Sequence, residues 1–218
     1  MQQSSPPPEN TADIDLASVD QVLSTARSVR RKIDFEKPVP AQVLYDCINL
    51  ATQAPIGLGG ENWRFLIISR GDEKLKVAQI YRSVLDDLER QRGLTLKPTQ
   101  RALANRLQEM PAMILVCVDG APPDPETHTQ IGFYGSILPA AWSLMLALRA
   151  RGLGSTWTSL LSSRQGEMAK ALGIPDTVTQ TVMLPVGYTK GARLKPAERL
   201  GAEHVTFWNQ WGASGADG

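Results

Sequence analysis

Between Ile131 and Arg151 the chain runs Ile-Gly-Phe-Tyr-Gly-Ser-Ile-Leu-Pro-Ala-Ala-Trp-Ser-Leu-Met-Leu-Ala-Leu-Arg-Ala-Arg. Its spacing predicts one long helix, containing Pro139 and closed by Gly152 as a C-cap. A helix apolar on nearly every side must be buried, in a core or against another subunit. The second constraint is Ala112 to Val118, Ala-Met-Ile-Leu-Val-Cys-Val. A continuous apolar run of that length predicts a central strand covered on both faces. Whatever this chain folds into must set a buried helix against a buried sheet.

The rest of the pattern adds helices around few strands. Leu16 to Arg30 predicts a first helix ending in the basic cluster Arg27-Ser28-Val29-Arg30-Arg31-Lys32, before Pro38 and Pro40 break the chain. Pro40 suits the first turn of the next helix, Ala41 to Ala54, whose apolar face is broad. Residues 55–60 form a Gly-rich loop, and Trp63 to Ser69 a strand. Asp72 is expected to cap a long helix through Ile80, Tyr81, Val84, Leu85 and Leu88. Gly93 to Pro98 interrupts it, and Gln100 to Glu109 resumes it. Gly120 to Glu126 is a Pro-rich loop. Ser155 to Ser159 predicts a short strand, Arg164 to Leu172 a helix closed by Gly173, and Thr179 to Val186 a last core strand. From Gly187 an extended arm carries Phe207, Trp208 and Trp211. The helices outnumber the strands and do not alternate with them strictly, which favours an α+β sandwich over a doubly wound sheet.

The chain's 218 residues suit one domain, expected over residues 15–211 between a disordered tail, 1–14, and a flexible tail, 212–218. The first ten residues lack the basic and apolar regions of a secretory signal. No apolar run is expected to approach the roughly 20 residues a membrane helix needs. A formal net charge of +1 gives no global field for nucleic acid or anionic membrane. Cys47 and Cys117 sit among apolar residues and are expected to be buried thiols. These features predict a cytoplasmic protein without metal, membrane or nucleic-acid partners.

Most familiar catalytic signatures are missing. Gly57-Leu58-Gly59-Gly60 lies between a helix and a strand, whereas a dinucleotide fingerprint needs strand, Gly-loop, helix. There is no phosphate-binding P-loop and no Gly-x-Ser-x-Gly elbow. His128 and His204, the two histidines, are read as surface residues, so a serine-type triad is not expected. Asp86 and Asp87 fall on a solvated helix face. The basic cluster is what stands out. On a helical turn Arg27 and Arg30 would share a face, and with Ser28 would make a receptor for one phosphate group. The same residues also read as a cationic helix end meeting water. The two readings stay open on these residues alone.

Further segments bear on that choice: Ala26-Arg27-Ser28-Val29-Arg30; Ala54-Pro55-Ile56-Gly57-Leu58-Gly59-Gly60-Glu61-Asn62-Trp63-Arg64-Phe65; Leu138-Pro139-Ala140-Ala141-Trp142 with Arg151-Gly152-Leu153-Gly154-Ser155-Thr156-Trp157; and Leu172-Gly173-Ile174-Pro175, Leu184-Pro185-Val186-Gly187-Tyr188 and Arg199. In order and spacing the chain from about Val22 to Trp211 resembles the nitroreductase-like flavoprotein family. The resemblance implies a mainly antiparallel sheet flanked by helices, in a domain-swapped homodimer whose C-terminal arm wraps the partner. It implies FMN at the dimer interface, its phosphate held by Arg27, Ser28, Arg30 and Arg199. Three arginines suit a phosphate of about −1.5 to −2 charge. Trp157, Thr158 and Ser159 would face the flavin ring, chiefly through backbone groups. Pro55, Ile56, Gly57 and Gly59 would approach it from the other subunit, small residues allowing close contact.

The chain departs from the family's usual pattern at Ile56, Gly59 and Glu61, where a small or hydroxyl residue, an Asn and a Gln are common. The implied activity is hydride transfer from NADPH or NADH through the flavin to an electron-poor small molecule such as a nitroaromatic or quinone, with no catalytic side chain. The departures also motivate two other readings: a flavoenzyme dedicated to oxidising or cleaving one specific metabolite, or a flavin-binding protein without turnover.

Overall fold

The computed structural model describes residues 14–57, 60–93 and 95–213. Gly59, expected at the flavin ring, lies outside the described residues. Two compact units emerge: Ala26–Arg193, and a second formed by the termini, up to Thr25 and from Leu194 onward. In chain order the helices are α1 (Leu16–Thr25), α2 (Ala41–Ala51), α3 (Gly71–Arg92), α4 (Pro98–Arg106), α5 (Thr127–Gly135), α6 (Leu138–Ala150) and α7 (Gln165–Leu172). The strands are β1 (Trp63–Ile68), β2 (Ala112–Asp119), β3 (Leu153–Ser155) and β4 (Val178–Tyr188).

The four strands form one sheet in the order β1-β2-β4-β3, every neighbouring pair antiparallel. The α+β arrangement with an antiparallel sheet is as the sequence implies. Alternation along the strands sends Trp63, Phe65 and Ile67, then Ala112, Ile114, Val116 and Val118, then Val182, Leu184 and Val186 to one face. There they meet Leu44, Cys47 and Ala51 of α2 and Ala141, Leu144 and Leu148 of α6. Leu144 and Leu148 are fully buried, each contributing about 1.5–3 kcal/mol by leaving water. Met113, Leu115 and Cys117 point the other way and are buried too, so β2 is covered on both faces, as its composition requires. Cys47 and Cys117 are free, buried thiols.

Several boundaries differ from the sequence pattern. The first helix stops at Thr25, not Arg30, so the basic cluster is not helical. β3 is shorter and earlier than Ser155–Ser159, and β4 runs on to Tyr188. Asp72 does not cap α3: Arg70 holds that position, and Asp72 lies in the first turn, where a carboxylate suits the helix dipole. The predicted helix Ile131–Arg151 is two helices broken at Ser136 and Ile137. Pro139 has no N–H to give the carbonyl of Gly135, and its ring would collide with that carbonyl. It is tolerated because it sits in the first turn of α6. By length and composition Thr127–Ala150 would suffice to cross a membrane, yet α6 buries six residues in the core.

A bulge between Val116 and Cys117 shifts the β2–β4 register, so that Val116 faces Val182 and Cys117 faces Gln180. Thr181 is the unpaired residue, and its hydroxyl donates to the carbonyl of Val116 at 2.7 Å. In the second unit, the Ser18 amide and hydroxyl both donate to Asp15, which lowers the Asp15 pKa. The Phe207 and Trp211 rings lie 4.8 Å apart.

Candidate active site

Beyond α1 the chain extends along the sheet's β3 edge. The Val29 amide donates to the carbonyl of Ser155 at 2.8 Å, and Ser28 and Ser155 form a parallel bridge. The Thr156 hydroxyl donates back to the carbonyl of Val29 at 2.8 Å. The Trp157 amide donates to Ser28 Oγ at 3.1 Å. On the other side, Thr158 and Met183 exchange backbone hydrogen bonds of 3.1 and 2.8 Å. Residues 156–158 are thus fixed from both flanks. Gly154 makes the close approach possible, since a Cβ there would stand 2.9 Å from Ile33 Cδ1 and 3.0 Å from Val29 Cβ.

This scaffold presents a cavity of about 140 Å³ lined by Arg30, Tyr81, Gln100 and residues 156–160. Past Thr25 this segment is not helical and pairs through Ser28 with Ser155. That replaces the shared helical face expected of Arg27 and Arg30. Among the described residues neither arginine has a carboxylate partner. Arg27 Nε is buried with no hydrogen-bond partner, an arrangement that leaves the donor's desolvation uncompensated. Ser28 Oγ accepts from Trp157 and keeps its own proton to donate. These orphaned donors fit an anionic group such as a phosphate.

Tyr81 and Gln100 did not stand out in the sequence. Tyr81 reads there as one apolar position of the α3 stripe, yet its phenol meets the Thr158 hydroxyl and feels Arg30. Burial pushes the phenol's pKa up, and the Thr158 hydrogen bond and the Arg30 charge pull it partly back. Gln100 looked like an ordinary helix residue. No sequence signal marks either one, because only the packing of α3 and α4 brings them to residues 156–160.

The loop residues form a separate group. Ile56 and Gly57 line a second cavity, of about 500 Å³, with Phe133 and Ser136. Pro55 is exposed beside them. The Gly57 amide donates to Ser136 Oγ at 2.9 Å, and Trp63 Nε1 donates to the Ser136 carbonyl at 2.7 Å. Within one chain, Ile56 and Gly57 line a different cavity from Arg30, Trp157, Thr158 and Ser159. Arg199 belongs to the terminal unit. It is exposed and donates to the carbonyl of Glu198. Glu61 is exposed as well. Among the described residues no His, Cys, Asp or Glu cluster could hold a metal ion.

Comparison with known proteins supplies the remaining findings. The model of the Nitroreductase family matches residues 23–188. An iodotyrosine deiodinase from Thermotoga neapolitana is 29% identical over 201 residues, covering 85% of this chain and 97% of that protein. The structure of an oxidised iodotyrosine deiodinase bound to FMN and 3-iodo-L-tyrosine superimposes with a TM-score of 0.61 at 28% identity, covering 86% of this chain and 98% of that one. The NADPH:FMN oxidoreductase from Vibrio harveyi, complexed with NAD+, gives a TM-score of 0.68 at 15% identity, covering 89% and 78%. At that identity the likeness shows the fold alone.

Proposed function

Because this chain belongs to the nitroreductase family, we propose that it is an FMN-dependent oxidoreductase that passes a hydride from NADPH or NADH to an electron-poor small molecule of nitroaromatic or quinone type. The observation that carries the reading is the buried Arg27 Nε without a hydrogen-bond partner, one residue from Ser28 and three from Arg30, neither arginine having a carboxylate partner among the described residues. Arg27, Ser28 and Arg30 would hold the phosphate of FMN, with Arg199 joining from the arm. Charge-assisted bonds of this kind are about twice as strong as neutral ones. FMN, when bound, supplies the hydride chemistry.

The chain's residues bind and orient. Trp157, Thr158 and Ser159 present a backbone edge that the hydrogen bonds to Ser28 and Met183 hold still. Tyr81 and Gln100 add a hydroxyl and an amide to the same cavity. A cavity of about 140 Å³ encloses one end of FMN, not the whole, which favours a site completed by a second subunit. Pro55, Ile56, Gly57 and Gly59 are the proposed contribution of that subunit. The homodimer is proposed with α5 and α6 at its interface, where Ile131 (67%) and Trp142 (41%) stay exposed.

The kinship with iodotyrosine deiodinases, over most of both chains, favours a second reading, in which the flavin serves one dedicated aromatic metabolite. The absorption spectrum of the purified protein between about 300 and 550 nm, with and without anaerobic NADPH or NADH, tests the first reading. Flavin bands that bleach support it; a colourless protein that refuses added FMN refutes it. Comparing turnover of nitroaromatics, quinones and 3-iodotyrosine separates the two. Fast, promiscuous reduction favours the first, and selective turnover of one aromatic the second.

A further inference from the structure

We infer that Lys32 and Lys190 form a second anion site, suited to a phosphomonoester group and separate from the residues proposed for the flavin phosphate. The basic cluster runs on to Lys32, and the proposed flavin site uses it only as far as Arg30. Beyond Arg30, residues 32–34 pair with residues 188–190 as a short antiparallel ribbon. Ile33 bridges Thr189. The Asp34 amide donates to the carbonyl of Tyr188 at 2.8 Å, and the Lys190 amide donates to the carbonyl of Lys32 at 3.0 Å. Ile33 is buried close to Gly154 and Gly187, which pins one face of the ribbon down. Alternation turns Lys32 and Asp34 to the other face, with Lys190 and Tyr188 opposite them.

Charge on that face is unbalanced. Residues opposite each other in an antiparallel pair have Cβ atoms about 4.5–5.5 Å apart, and like charges there repel. Lys32 and Lys190 are such a pair, and both are exposed. Asp34 lies among them, 3.8 Å from Lys190 Nζ, but its Oδ1 already accepts the Glu36 amide at 3.2 Å. Lys32 has no carboxylate partner among the described residues. Lys37 brings a third ammonium, 4.0 Å over the Tyr188 ring. Three lysines against one aspartate leave about two positive charges unanswered, which a phosphomonoester of about −1.5 to −2 balances. A carboxylate or a phosphodiester would balance half of it. NADPH carries a phosphomonoester and NADH does not, so the site would favour NADPH as reductant; a free phosphate ester has the same chemistry. Lys32 follows Arg30 by two residues, at most about 7 Å between Cα atoms. The link to catalysis rests on the proposed hydride transfer, whereas the anion binding does not.

The test is calorimetric titration of the full-length protein as purified, its flavin content recorded, with inorganic phosphate, NADP+ and NAD+. Lys32→Gln with Lys190→Gln should weaken phosphate about tenfold, each exposed charge contact being worth up to about a factor of five, and leave FMN affinity unchanged. Lys32→Arg keeps the charge and should bind phosphate as the wild type does. Asp34→Asn removes the competing carboxylate and should bind it about threefold more tightly. Raising salt from about 0.05 to 0.5 M should erase the wild type's advantage over the double variant. NADP+ and NAD+ differ only in the phosphomonoester. A wild-type preference of about tenfold for NADP+, lost in the double variant, supports the site and assigns the group to the reductant. Phosphate binding lost in the double variant without that preference supports the site and assigns the group to a free ester. Phosphate and NADP+ affinities unchanged in the double variant, or losses matched by an equal loss of FMN affinity, overturn the inference. A yellow protein with unchanged affinities leaves the flavin reading standing. A colourless protein whose preference for NADP+ disappears in the double variant supports the site while the flavin reading fails.

Discussion

At the scale of single residues, the molecule's unusual feature is positive charge left without its counterpart. Arg27 Nε is buried and unpaired, and a charged donor in that position is costly unless an anion completes it. Replacing Arg27 and Arg30 together by Ala should lower FMN affinity at least about a hundredfold, since hydrogen bonds to charged groups contribute about 1.5–3 kcal/mol each. Flavin fluorescence titration reads this directly, and a double variant that purifies with full flavin would show the phosphate lies elsewhere. Cys117 is an opposite case, a neutral group kept neutral. Burial pushes its thiol from 9.0 up to about 12, so the folded protein holds a proton that the unfolded chain releases near pH 9. The stability this contributes is complete below pH 9 and is lost as pH rises toward 12. Tyr81, also raised by burial, acts with the same sign. Denaturation midpoints measured from pH 8 to 11 should fall with pH, and fall less steeply in Cys117→Ala.

At the scale of elements, the site depends on how closely an extended segment can lie against a strand. Gly154 and Gly187 set that distance: a Cβ on Gly187 would stand 2.6 Å from Ile33 Cγ2. Gly154→Ala should destabilise the fold by about 1–3 kcal/mol through overpacking and weaken FMN binding as well, because Ser28 and Arg30 move with Val29. Urea denaturation and a flavin titration on one variant check both effects; unchanged flavin affinity would separate the site from the β3 edge. The elements differ in how far the sequence exposes them. Ala112–Val118 is apolar at every position, and only a doubly covered strand answers to that. The helical reading of Arg27–Arg30 fails because arginine's helix propensity is outweighed by strand-like pairing of residues 28 and 29 with Ser155 and Thr156, more than a hundred residues away. Pro139 was visible, but its effect on the helix at Gly135 depends on which turn it occupies. Tyr81 and Gln100 were invisible as site residues, since nothing local distinguishes a phenol or amide aimed at residues 156–160 from one aimed at solvent. Ser28, Arg30 and Trp157–Ser159, singled out by their motifs, do share one scaffold.

At the scale of the whole molecule, the proposed assembly of this 23.8 kDa chain is a homodimer. None of α5 is buried, and Phe207, Trp208 and Trp211 stand exposed on the terminal stretch. Light scattering after size exclusion should give twice the chain mass. Ending the chain at Arg193 should shift it toward the monomer and remove most bound flavin. A truncated protein that stays dimeric and yellow would show that the arm holds neither the partner nor the phosphate.

The hydroxyl of Ser136, where α5 gives way to α6, ties two stretches together: it receives the Gly57 amide and donates back to the carbonyl of Gly132. A Cβ on Gly57 would come within 2.7 Å of it. The two positions therefore cannot drift independently. A side chain at 57 becomes tolerable once 136 has shed its hydroxyl, and that loss in turn leaves the Gly57 amide without its acceptor. Inheritance would treat the pair as a single character, changing in both places or in neither, although 79 positions separate them along the chain.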